Sequence, residues 1–117
     1  MATEGLSINL ATTRMQWDMR QAAEACLGHG ITAIAPWRDQ VQKIGLDEAA
    51  RIVRDNGFKV IGLCRGGMFP AGDPEARKAA IDDNLRAVDE AAALGADCLV
   101  LVVGGLPQGS RDIVAAR

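Results

Sequence analysis

Three glycine- or arginine-bearing segments hold the residue types that could do chemistry. Pro36-Trp37-Arg38-Asp39 sets an indole beside a guanidinium. Sugar rings lay their C–H faces on an indole, and an arginine grips a carboxylate or phosphate through its planar fork. Cys64-Arg65-Gly66-Gly67 adds a thiol and a second arginine, followed by glycines that let backbone amides approach a ligand. Gly104-Gly105-Leu106-Pro107, with Ser110 placed to open a helix, is a candidate anion cradle. The candidate substrate-binding residues are therefore Trp37, Arg38, Cys64, Arg65, Gly104 and Gly105, and their chemistry suits an anionic or polyhydroxylated small molecule. Each has a plainer alternative: an indole packed under a loop, an arginine in solvent, a turn that needs glycine.

No residue earns a catalytic assignment. Cys64 as a nucleophile needs a base, and the sole histidine, His29, falls in a helix-to-strand loop at the other end of the strands. A packed thiol is expected instead. Among the carboxylates, only Asp39 falls in one of the segments that follow the C-terminal ends of the expected strands. Asp47, Glu48, Glu75, Asp82, Asp83, Asp89 and Glu90 read as solvated helix faces and caps. A set of metal ligands is therefore not expected in this sequence.

The elements that must position these residues repeat one pattern: a helical stretch, a glycine, then a β-branched run. The junctions are Gly28-His29-Gly30-Ile31, Asn56-Gly57-Phe58 and Leu94-Gly95-Ala96, and glycine there fits the left-handed residue that ends a helix. Strands are expected near residues 6–11, 31–35, 59–64 and 98–103. Asp18 with Gln21 forms a capping-box pair before the first helix. A second helix spans about residues 46–55. Asp73 and Pro74 open a third, whose Ile81, Leu85, Val88 and Ala92 recur on one face. Ser110 is the expected cap of a fourth.

Strands alternating with helices imply crossover connections and a parallel sheet, and strands apolar throughout imply cover on both faces. The first loop, Ala11-Thr12-Thr13-Arg14, lacks the GxGxxG of a dinucleotide-binding sheet. In any parallel α/β architecture, function gathers where strands run into helices. That rule selects residues 9–13 and the three segments named above. Four such units are half of an eight-stranded barrel, which takes about 250 residues. Their outer strands would be open edges. The expectation is one domain, residues 1–117, that is part of a larger barrel or a half-barrel that associates through those edges.

The chain totals narrow the partners. Net charge is −2 with interspersed signs, which disfavours nucleic acid or an anionic membrane surface. Residues 98–103, the longest apolar run, fall far short of a membrane span. The amino terminus shows no export signal, so a cytoplasmic location is expected. Cys26, Cys64 and Cys98 are an odd number without metal-type spacing, and reduced, buried thiols are expected.

Three stretches carry a resemblance. Lys59-Val-Ile-Gly-Leu-Cys-Arg-Gly-Gly-Met-Phe-Pro70 resembles the third-strand segment of bacterial sugar phosphate isomerases/epimerases. Gly30-Ile-Thr-Ala-Ile-Ala-Pro-Trp-Arg38 and the run from Asn84 through Ala-Leu-Gly-Ala to Val-Val-Gly-Gly-Leu-Pro107 are similar to the same family. The resemblance implies the N-terminal half of a xylose isomerase-like (β/α)8 TIM barrel, an α/β fold. It also implies a sugar or sugar-derived substrate and a divalent metal such as Mn²⁺, Mg²⁺ or Zn²⁺ for the complete enzyme. In that family the metal ligands come from the second half of the barrel, so none is carried over here. Trp37, Arg38, Cys64 and Arg65 map onto the substrate-side wall. Related barrels cleave DNA at abasic sites, which keeps a phosphodiesterase as an alternative beside a non-catalytic half-barrel that oligomerises or binds a small anion.

Overall fold

Local signals set where the helices begin. In the computed structural model, which describes residues 4–115, Asp18 accepts a hydrogen bond from the Gln21 amide at 2.9 Å. The Gln21 side chain accepts one from the Asp18 amide at 3.0 Å. This reciprocal cap starts helix α1 (Met19–Gly28). Between strand β2 (Ala33–Ala35) and the next strand lie two helices rather than one: α2 (Arg38–Ile44) and α3 (Leu46–Asp55), divided by Gly45 at φ 93°. Helix α4 (Pro74–Leu94) opens on Asp73, whose side chain accepts from the Ala76 amide at 2.8 Å. It closes on Gly95 in the left-handed region.

Helix α2 went unrecognised in the sequence because it follows β2 after only Pro36 and Trp37, and its first turn has no Ser, Thr, Asp or Asn cap. The Gln40 side chain substitutes, accepting from the Trp37 amide at 3.2 Å and donating to the Leu10 carbonyl at 3.0 Å. Pro36-Trp37-Arg38-Asp39 is thus a strand end turned directly into a helix start.

The strands pair in parallel. β1 (Ile8–Asn9) lies beside β2, and β2 beside β3 (Lys59–Val60); β4 (Leu63–Gly67) pairs with β5 (Leu99–Val102). The third expected strand therefore runs longer than residues 59–64 and is interrupted at Ile61 and Gly62. Hydrogen bonds bridge the break on both sides: Ile61 to Ile34, Cys64 to Pro36, Leu63 to Cys98, and Asp97 to Val60. The spatial order follows the chain order. Leu10, Ile34, Val60 and Leu63 share one buried cluster with Met19, Val41, Ala49, Val53 and Leu94 from all four helices. Helices on one face of sequentially ordered parallel strands make a barrel wall, not a doubly wound sheet, whose helices cover both faces.

Several expectations are corrected here. The strands are apolar on both faces, but the second face is open: Ile61, Val100 and Val102 are exposed, and so is Cys98, which was expected to be buried. On α4, Ile81, Leu85 and Val88 are 50%, 61% and 55% exposed, and the helix instead buries Ala87, Ala91 and Leu94. Both stripes have helical spacing. The choice falls to the narrower one because α4 lies close over β4, where a Cβ on Gly66 would stand 2.8 Å from the Asn84 amide oxygen. No helix opens at the expected cap, Ser110, among the described residues, where 113–115 form a turn. Asp112 accepts from the Val114 and Ala115 amides, each at 3.0 Å, and Ser110 only accepts from Asp112.

Candidate functional site

The C-terminal ends of the strands gather a cleft of about 420 Å³, within the size range of small-molecule sites. Its first corner is built on Asn9, at the end of β1. The Asn9 side-chain oxygen accepts from the Ala11 amide at 3.0 Å and from Trp37 Nε1 at 2.8 Å. The indole is thereby tied across the ends of two neighbouring strands. Arg14 stands over one face of that ring, 5.0 Å from its centroid, and pairs with Asp39 at 2.9 Å. One face of Trp37 is therefore already occupied by the protein.

Arg38, the first residue of α2, is 8% exposed. Its Nε donates to Glu90 at 2.6 Å, and its two terminal nitrogens donate to both carboxylate oxygens of Asp83 at 2.9 and 3.0 Å. Longer bonds of 3.4 Å reach the Arg65 and Asp83 carbonyls. All five N–H groups of the guanidinium thus have acceptors. Asp83, foremost through its hydrogen bond from Arg38, has its carboxyl held below the ordinary range. Arg38 in turn is held more firmly protonated than usual, Asp83 contributing most. Gln42 donates to the second oxygen of Glu90 at 3.0 Å. Where a substrate contact was expected, Arg38 locks α2 against α4 and supports the cleft from beneath.

The third corner is the end of β4. Cys64 is half-buried and pairs in parallel with Trp37. Burial, ahead of any neighbouring charge, raises its thiol above the usual range, so it stays protonated at neutral pH and is a poor nucleophile. The peptide joining it to Arg65 is cis. Arg65 is exposed, and its guanidinium lies 3.1 Å from the Met68 sulfur.

The glycines have a different use from the one expected. The Gly67 amide donates to Asn84 at 2.6 Å, the Met68 amide to Val102 at 2.7 Å and the Phe69 amide to Val103 at 2.9 Å. None of these amides is left for an anion. Gly67, at φ 101°, is required by close approach, since a Cβ would lie 2.0 Å from the Val102 carbonyl oxygen. Gly104, at φ 99°, packs a would-be Cβ 3.1 Å from the Met68 Cα, so it sits behind Met68 and outside the cleft lining. Gly105 also falls outside it. Of the six expected residues, Trp37, Arg38, Cys64 and Arg65 line one cleft, and Gly104 and Gly105 do not.

Residues missed in the sequence are Arg14, Gln42 and Asn84. Arg14 stands one position beyond the segment following the first strand, so a wider window would have found it. Asn84 bonds both the amide and the carbonyl of Gly67, the latter at 2.8 Å. Nothing in the local pattern of a long helix distinguishes such a residue from a solvated one.

Among the described residues, no three His, Cys, Asp or Glu side chains come together in a way that could hold a metal ion. The two carboxylates on the cleft, Asp39 and Asp83, are each matched by arginine. No helix among the described residues is long and apolar enough to cross a membrane.

Sequentially ordered parallel strands, joined through helices α1 to α4 and carrying a cleft at their C-terminal rim, define part of a TIM barrel. The family model of the xylose isomerase-like TIM barrel matches residues 21–117, and the chain belongs to that family. Members of this family commonly use divalent metals. The chain is similar to protein SMc04130 from Sinorhizobium meliloti 1021, whose crystal structure superposes with a TM-score of 0.95 at 70% identity. The match covers 98% of this chain and 42% of that one, so the chain spans less than half the length of this relative. A xylose isomerase-like TIM barrel/4-hydroxyphenylpyruvate dioxygenase fusion protein shares the fold, with a TM-score of 0.64 at 16% identity, over 81% of this chain and 15% of that one. No curated protein matches the chain.

Proposed function

We propose that the chain supplies the substrate-side wall of a sugar or sugar-phosphate isomerase/epimerase, which in complete form transfers a proton beside a carbonyl with the help of a divalent metal. The supporting observation is the juxtaposition of an anchored indole and an exposed arginine on one cleft of a barrel of this family. Trp37 would stack on the sugar ring, and Arg65 would meet its polar or charged end. Arg38 is a positioning residue, and Cys64 packs the cleft floor.

The residues described here do not compose a metal cage, because their rim carboxylates are neutralised by Arg14 and Arg38. The metal ligands and the base are assigned to later strand ends of a complete barrel. The same completion explains the open seam. The exposed side of β5 and the Ile81, Leu85 and Val88 stripe form the apolar surface on which the next strand–helix units would pack. A second copy of the chain is the competing occupant, and a cytoplasmic location goes with either, since Cys26, Cys64 and Cys98 are all unpaired.

The test is solvent proton exchange. The chain, Mn²⁺ and the remaining portion of the 70%-identical relative are incubated in D₂O with aldoses and ketoses, and deuterium next to the carbonyl is followed by NMR. Exchange is expected only with both pieces and the metal, and Trp37→Ala should weaken it. Exchange indifferent to Trp37→Ala, or none with any sugar, would remove the proposal. Light scattering of the chain alone reports the competing case: a stable dimer that persists when the other portion is added favours the second copy.

A further inference from the structure

We infer that Arg65 is the specificity residue of this cleft, selecting polyhydroxylated molecules that carry an oxyanion, either a carboxylate or a phosphate. The inference rests on the reading of the cleft as a carbohydrate site and adds the charge of its ligand.

Three guanidiniums line the cleft, and two are already matched. Arg14 pairs with Asp39 while lying over Trp37. Arg38 is buried and pairs with Asp83 and Glu90. Arg65 alone has no carboxylate partner among the described residues. Its one side-chain hydrogen bond among the described residues goes to the Met68 sulfur at 3.1 Å, a weak acceptor that leaves a full positive charge uncompensated.

The base of Arg65 is nevertheless fixed. Cys64 is bonded to Pro36 at 3.2 Å, Gly66 is buried, and the Arg65 carbonyl accepts from Arg38 at 3.4 Å. An exposed fork therefore projects from an anchored strand end. The strand pairing of Trp37 with Cys64 puts the indole one residue from this fork, across adjacent strand ends. A ring stacked on Trp37 would present its charged arm to Arg65, which can grip it with two parallel N–H bonds.

The amides of Gly67, Met68 and Phe69 are all engaged within the protein, so none of the three competes for the anion. The preference should hang on one side chain. A neutral sugar would leave Arg65 hydrated and gain nothing from it.

Calorimetric titration of the intact chain at low salt tests this with four probes: D-glucose, D-glucose 6-phosphate, D-glucuronate and inorganic phosphate. The charged sugars should bind about tenfold more tightly than glucose, the gain expected of a charge-assisted hydrogen bond. Arg65→Gln should erase that preference without changing circular dichroism, because the side chain is exposed. Arg65→Lys should keep part of it, and Trp37→Ala should weaken all three sugars alike. Comparison of the 6-phosphate with the glucuronate tells which oxyanion is favoured. The inference is overturned if Arg65→Gln binds the charged sugars as the parent does. It also falls, with the carbohydrate reading intact, if glucose binds as tightly as they do. If inorganic phosphate matches glucose 6-phosphate and loses binding in Arg65→Gln, the anion preference stands and the carbohydrate reading falls. Absence of binding by every probe overturns both.

Discussion

Arg38→Met tests how the rim is held together. The substitution keeps a long apolar stem and removes a guanidinium whose five N–H groups all have acceptors. Two carboxylates are left behind, and their surroundings differ. The Asp83 side chain is 44% exposed and keeps a contact with Arg86 at 3.3 Å, so water can replace much of what it loses. The Glu90 side chain is 12% exposed and keeps only Gln42 among the described residues. Removing one member of a buried pair costs about 3–5 kcal/mol, whereas an exposed pair contributes about 0–1 kcal/mol. With Glu90 near the first case and Asp83 near the second, the expected loss is about 3 kcal/mol. Urea unfolding reads this directly. At a slope of about 1–3 kcal/mol per molar, the midpoint falls by about 1 M or more. The double variant Arg38→Met with Glu90→Gln should regain most of the loss, because the stranded charge dominates it. A loss under about 1 kcal/mol in the single variant would place the pair among ordinary surface contacts. A double variant no better than the single would refute the account given of Glu90.

Two further outcomes follow from the same structure. Asp83 has a folded-state pKa below its unfolded one, with Arg38 the main cause. The stabilisation is therefore fully present above the ordinary carboxylate value of about 4 and fades as pH falls through the lower folded value. The stability gap between the parent and Arg38→Met should narrow below about pH 4, and urea midpoints showing a constant gap down that range would contradict this sign. Gly67→Ala should destabilise by at least about 2 kcal/mol, combining a left-handed backbone with a Cβ driven into the Val102 carbonyl. Gly105→Ala, with nothing within 4 Å of the added carbon, should stay within about 0.5 kcal/mol in the same denaturation assay.

Much of the scaffold was legible because it rests on short-range chemistry. The Asp18–Gln21 capping box, the Asp73-Pro74 helix start and the Gly95 helix end depend on residues a few positions apart, and each formed where the pattern placed it. The parallel alternation was legible for the same reason, and with it the rim on which Trp37, Arg38, Cys64 and Arg65 meet. Periodicity could not choose between the two stripes of α4, since Ile81-Leu85-Val88 and Ala87-Ala91-Leu94 have equivalent helical spacing. The choice came from the closeness of the helix to Gly66 and Gly67 on β4. Nor could it reveal α2, whose cap comes from Gln40, a side chain that also bonds the distant Leu10 carbonyl.

What the sequence alone determined about this protein is the alternation of strands and helices, and with it the strand ends at which Trp37, Arg38, Cys64 and Arg65 meet. Only the tertiary structure decided what those side chains do there. Three chemically identical guanidiniums became a stacked and paired Arg14, a buried clamp in Arg38 and an exposed Arg65. The difference lies in partners 25 to 52 residues away along the chain, and a charge acquires its role from the ions and solvent around it rather than from its neighbours in sequence.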